Sequence, residues 1–206
     1  MKLIYATKNK SKIKHMNKML DGTAFEVIGL DQVELDVIEP EENGNTPLEN
    51  ATMKAVGYYK QLGVPVYSTD SALYFEGVSD EDQPGVHIKR INGQNLKGKD
   101  FQKYYIEIAK KYGGKIKAKY INAICVVFDE ENIYQYDEED VHSEEFLIVS
   151  NPHPFFEEGF PLNSLSVHIE SGKYYNDMKD YKAKGTMDEG FRKFFKELEN
   201  SSLLKK

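Results

Sequence analysis

Between two runs of β-forming residues, FEVIGL at 25–30 and VPVYSTDSALYFEG at 64–77, lies a helix signalled at both ends. Thr46 and Glu49 make a Thr-x-x-Glu capping box, and Pro47 stands at the first helical position, where its missing amide hydrogen leaves nothing unpaired. Gly63 follows the last turn, the usual place for a helix stop. Leu48, Ala51, Ala55 and Tyr58 or Tyr59 recur on one face, so the spacing predicts a helix from Pro47 to about Leu62. The same strand-then-helix order opens the chain: LIYAT at 3–7, then KNKSKIKHMNKML with Ile13, Met16, Met19 and Leu20 at helical spacing. Helices alternating with strands define an α/β fold.

The remainder adds strands. VPVYSTDSALYFEG reads as β on both sides of a polar break at Ser68 to Ser71, and PGVHIKRING at 84–93 as a loop. An amphipathic helix at 100–114 stops at two glycines, residues 117–136 form two antiparallel strands around DEEN, and EEFLIVS at 144–150 is another strand. The closing helix turns Phe191, Phe194, Phe195 and Leu198 inward. The expectation is α/β with a mixed sheet, residues 1–206 forming a single domain without repeat or linker.

Composition excludes several classes. The longest apolar run, AICVVF at 123–128, is far below the roughly 18 residues of a membrane-spanning helix, so no membrane association is expected. Met1 to Thr7 carries one lysine and too few apolar residues for an export signal, which points to the cytoplasm. The single cysteine, Cys125, sits inside that apolar run as a packed strand residue. A formal net charge of −7 has the wrong sign for a nucleic-acid polymer, although a small anion needs only a local cluster of cations.

Three segments carry chemistry. ATKNKSK at 6–12 places Thr7, Asn9, Lys8, Lys10 and Lys12 at a helix N-terminus, where free amides and the helix dipole favour an anion; the alternative is a solvated lysine-rich helix. Glu41 and Glu42 lie upstream of the turn at Asn43 and Gly44, and local structure does not require them. Asp70 interrupts a β run between hydroxyl residues. Glu42 and Asp70 together offer two oxygen ligands suited to Mg²⁺, which takes few protein carboxylates and completes its shell with water and phosphate. The acids DEED at 137–140 read as a solvated loop or strand end, and the five histidines have no zinc-ligand spacing.

ATKNKSK, EENGNTPLENATMKA at 41–55, TDSALYFEG at 69–77 and PGVHIKR at 84–90 resemble, in order and spacing, the inosine/xanthosine triphosphate pyrophosphatases. Those enzymes hydrolyse deaminated purine nucleoside triphosphates to the monophosphate and pyrophosphate. The resemblance is close over residues 3–95 and loose beyond. It implies an elongated mixed sheet with flanking helices, two lobes with the active site in the cleft between them, and a homodimer. It further implies that Thr7, Asn9 and Lys12 bind triphosphate, that Glu42 and Asp70 serve Mg²⁺, that Asp70 is the general base and that Ser71 touches the substrate.

The chain also departs from that family. Thr69 stands where a second acid is usual, and Ala72 replaces a glycine. The base-recognition loop is GFPLNS at 159–164, which retains Phe160 but carries Asn163 in place of an aspartate. Lys182 matches a family lysine, yet the Ser-His-Arg expected after it is replaced by AKGTMDEGFR, with acids Asp188 and Glu189 nearby. Polar discrimination in a pocket depends on matched donors and acceptors, so base preference is expected to be altered. The alternative is a nucleotide-binding or regulatory protein on the same fold.

Overall fold

The computed structural model describes residues 1–91, 93–178 and 187–201. Along the chain these form β1 (Lys2–Tyr5), α1 (Lys10–Met19), β2 (Glu26–Gly29), α2 (Pro47–Leu62), β3 (Val66–Phe75), β4 (Arg90–Ile91), β5 (Gln94–Asn95), α3 (Gly98–Lys111), β6 (Lys115–Val127), β7 (Ile133–Tyr136), β8 (Phe146–Val149), β9 (Ser166–His168) and α4 (Met187–Asn200). Seven strands make one mixed sheet in the order β2-β1-β3-β6-β8-β9, with β7 beside β6, while β4 and β5 form a separate ribbon. The α/β expectation with a mixed sheet holds.

The polar stretch at Ser68 to Ser71 does not break the strand. β3 runs unbroken through it, because hydroxyl and carboxylate side chains leave the backbone ladder intact. The loop expected at 84–93 contains β4 and turns back into β5, and β9 is too short to show a period. Capping explains the clean limits of α2: Thr46 accepts from the Glu49 amide, Glu49 returns the bond to the Thr46 amide, and Gly63 closes the helix in a left-handed conformation.

The chain divides into two compact units. The first comprises Met1–Ser71, Asn122–His142 and α4. Here β1 pairs in parallel with β2 on one side and β3 on the other. Side chains alternate across the strands. Tyr5, Tyr67, Ile124 and Val126 pack with α1 and the Phe191, Phe194, Phe195 cluster of α4. Ile4, Val66, Cys125 and Val127 pack on the opposite face with Ala51, Ala55 and Tyr58 of α2. Cys125 is fully buried, as expected of a packed residue, and burial pushes its thiol up to about 11. In the second unit, β8 pairs antiparallel with the start of β6 and with β9. α3 covers this part through Phe101, Tyr105 and Ile108, packed with Ile116, Phe146 and Ile148.

Candidate functional site

In the first unit β1 and β2 end together at Tyr5 and Gly29, and β3 continues past the last paired residue of β1, where Tyr5 meets Tyr67. Ligands of open α/β sheets bind beyond the carboxyl ends of such strands. Thr7 follows β1 there. Its Oγ1 accepts from the Asn9 amide at 3.2 Å, and Asn9 caps α1, its Oδ1 accepting from Ser11 and Lys12 amides at 3.0 and 3.2 Å. Lys12 lies in this first turn, which contains no acid, so the positive end of α1 faces the region uncompensated by its own sequence.

Residues 66–75 alternate across the sheet, and this alternation sorts the polar stretch. Ser68 and Asp70 share a face with Val66, which packs on α2; Thr69 and Ser71 share a face with Tyr67, which packs on α4. On the α2 side, Asp70 accepts from the Asn50 side chain and the Ser71 amide, and feels both Lys54 and Glu42. Glu42 pairs with Lys54 at 2.6 Å, both side chains less than a fifth exposed. Asn50 is buried, and its Oδ1 accepts from Gly44 at 2.9 Å, tying the acidic turn to the start of α2. Gly44 must be glycine for this: an added Cβ would lie 2.6 Å from the Glu49 Cβ and 2.8 Å from Asn50 Oδ1. Burial is the main cause that raises the Asp70 carboxyl above its ordinary range; Lys54 opposes it and the Glu42 charge adds to it.

On the opposite face, Thr69 is hydrogen-bonded to Tyr5 Oη at 2.9 Å, and burial pushes the Tyr5 phenol up to about 12. Ser71 donates to Asn122 Oδ1 at 2.7 Å.

The donor set suits magnesium in a limited sense. Glu42 and Asp70 place two carboxylates around one lysine, and Ser68 Oγ, fully buried on the Asp70 face, has no partner among the described residues. Among the described residues no group of three or more His, Cys, Asp or Glu side chains could hold a metal ion by itself. Two carboxylates with the rest of the shell left to water and phosphate is the magnesium pattern.

Thr7, Asn9, Lys12, Glu42, Asp70 and Ser71 therefore belong to one unit. Phe160 and Asn163 belong to the other, at the start and middle of the 3₁₀ turn Pro161–Leu165, where Asn163 Nδ2 donates to Glu157 at 3.4 Å. Lys182 lies outside the described residues. Asp188 sits in the first turn of α4, 3.5 Å from His15, whose hydrogen bond holds the carboxyl below its usual range. Of the acids at 137–140, Asp140 pairs with Lys193 at 2.8 Å, a surface role that fits a solvated loop. Sequence reasoning missed Lys54 and Asn122. Lys54 had a signal, since it follows Asn50 by four positions and so shares its helix face.

The model of the Ham1 family matches residues 3–145, and the chain belongs to that family. A dITP/XTP pyrophosphatase of Mannheimia succiniciproducens is 33% identical over 129 residues, covering 61% of this chain and 63% of the relative; one from Haemophilus influenzae is 34% identical over 128 residues, covering 62% and 63%. The chain thus matches less than two thirds of the length of these relatives. Among solved structures, a HAM1 protein from Coxiella burnetii superposes with a TM-score of 0.70 at 21% identity over 96% of this chain and 99% of that one. The Staphylococcus aureus Ham1 protein gives 0.66 at 19% identity, covering 96% and 100%. At these identities the structural likeness speaks for the fold.

Proposed function

We propose that this protein is a Mg²⁺-dependent nucleoside triphosphate pyrophosphohydrolase acting on a non-standard purine nucleotide such as ITP or XTP, with altered base preference. The observation that carries the reading is the Asp70–Glu42 pair, two acids held around Lys54 and Asn50 at the end of parallel strands. The names of the curated relatives, dITP/XTP pyrophosphatases, supply the substrate class.

Water attacks the α-phosphorus, the bond to the α,β-bridging oxygen breaks, and pyrophosphate leaves with the nucleoside monophosphate as the second product. Asp70 takes the proton of the attacking water. The Asn50 and Ser71 donors fix the orientation of Asp70. Magnesium, held by Glu42 and Asp70, would lower the pKa of water and stabilise negative charge on the phosphoryl oxygens. The α1 N-terminus with Thr7, Asn9 and Lys12 binds the triphosphate, and the family resemblance adds Ser71, Phe160, Asn163 and Lys182 as substrate-binding residues. The protein acts as a single two-lobed domain, a homodimer in the cytoplasm.

Asp70→Asn tests the assignment. Pyrophosphate release from ITP falls by at least about a hundredfold, the usual worth of a positioned general base, with the far-UV spectrum unchanged. Retained turnover refutes the role of Asp70. One observation favours the binding-protein reading: Thr69, at the position of a family acid, is engaged by Tyr5. Under that reading ITP binds and no pyrophosphate forms.

A further inference from the structure

Ser71 offers a ligand only lone pairs, and Asn122 is the cause. Asn122 is buried at 5% exposure on β6. Its Nδ2 donates to the Val141 carbonyl at 2.8 Å and lies 3.0 Å from Met187 Sδ. A carbonyl oxygen cannot donate, so the amide cannot be flipped, and Oδ1 must be the atom facing Ser71. Oδ1 in turn can only accept, which makes the Ser71 hydroxyl the donor in the 2.7 Å bond between them. The other donor of Ser71, its backbone amide, is engaged by the Asp70 carboxylate. Ser71 itself is only half-buried, and no described residue donates to its Oγ.

Phosphoryl oxygens are acceptors, so a hydroxyl in this state has nothing to give them. We infer that Asn122 is a positioning residue that fixes Ser71 as an obligate acceptor, and that Ser71 recognises a hydrogen-bond donor of the nucleoside, a sugar hydroxyl or a ring N–H. The inference rests on the nucleotide reading above and adds to it a division of labour. The triphosphate is held by α1, and the nucleoside is read by the pair Ser71 and Asn122.

The test uses the full chain with Ca²⁺ in place of Mg²⁺ to slow turnover, and calorimetry with ITP and with inorganic tripolyphosphate, which has no nucleoside. Ser71→Ala and Asn122→Ala each weaken ITP binding roughly three- to tenfold, the worth of one neutral hydrogen bond, and leave tripolyphosphate binding unchanged. The double variant is no weaker than the single ones, because Asn122 acts only through Ser71. Deoxyinosine triphosphate and 1-methylinosine triphosphate separate the two donors: the analogue lacking the recognised group is insensitive to Ser71→Ala. Equal loss of tripolyphosphate and ITP binding in Ser71→Ala overturns the inference, as does an additive double variant. If Asn122→Ala does not fold, Ser71→Ala with the two ligands still decides it. Failure of wild type to bind either ligand defeats the nucleotide reading itself, and this inference with it.

Discussion

A carboxylate raised by burial and by a neighbouring acid gives the central site its pH behaviour. Because the Asp70 carboxyl is raised in the folded protein, the unfolded chain loses its proton at lower pH. Ionised Asp70 therefore costs stability above its folded pKa, and that cost disappears as pH falls below the ordinary carboxylate range. In metal-free protein, Asp70→Asn raises the melting temperature at neutral pH, and the gain shrinks on acidification; a lower melting temperature at neutral pH contradicts this. Lys54→Met removes the cation that pairs with Glu42 at 2.6 Å and acts on Asp70. It costs about 3 kcal/mol by denaturant titration and moves the acidic limb of the pH–rate profile upward, since Lys54 is the main charge that holds the Asp70 carboxyl down. The sequence singles out Glu42 because local structure does not require it, and Asp70 because it interrupts a β run. Asn122 is not singled out: it lies 51 positions from Ser71, in a strand whose residues look purely structural.

The start of α2 does two jobs. Its capping box fixes the helix, and the residue after the box, Asn50, carries the hydrogen bonds to Gly44 and Asp70. Thr46→Ala costs about 1 kcal/mol in stability. Gly44→Ala is more disruptive for function, because its Cβ overlaps the Asn50 oxygen, and it weakens Mg²⁺ binding in a calorimetric titration more than Thr46→Ala does. Equal metal affinity in the two variants would separate the acidic turn from the metal. At this scale the sequence was most informative: caps and glycine stops marked α2 at both ends, and period and length marked α1, α3 and α4. It misread β3, whose hydroxyl and carboxylate residues suggested an interruption. In a β-strand such side chains alternate faces without disturbing the ladder. Gly190 packs in α4 with space for no side chain: an added Cβ would lie 2.0 Å from the Asp140 carbonyl oxygen. Gly190→Ala accordingly lowers the melting temperature by several degrees, despite alanine being the better helix former.

The whole molecule combines a Ham1-family fold with the proposed site around Glu42, Lys54 and Asp70. Phe160 and Asn163 lie at a turn where the Asn163 side-chain amide donates to Glu157. Light scattering after size exclusion gives a dimer mass if the proposed assembly is right, and a monomer mass refutes it. The central claim is tested most directly by pyrophosphate release with Mg²⁺ from inosine, xanthosine, guanosine, adenosine, uridine and cytidine triphosphates and their deoxy forms, with Asp70→Asn alongside. The account predicts release from the inosine or xanthosine nucleotides, with the other bases of the panel reporting how far the preference is altered, and loss of release in the variant. Nucleotide binding without pyrophosphate from any of them, or equal release by Asp70→Asn, would contradict it.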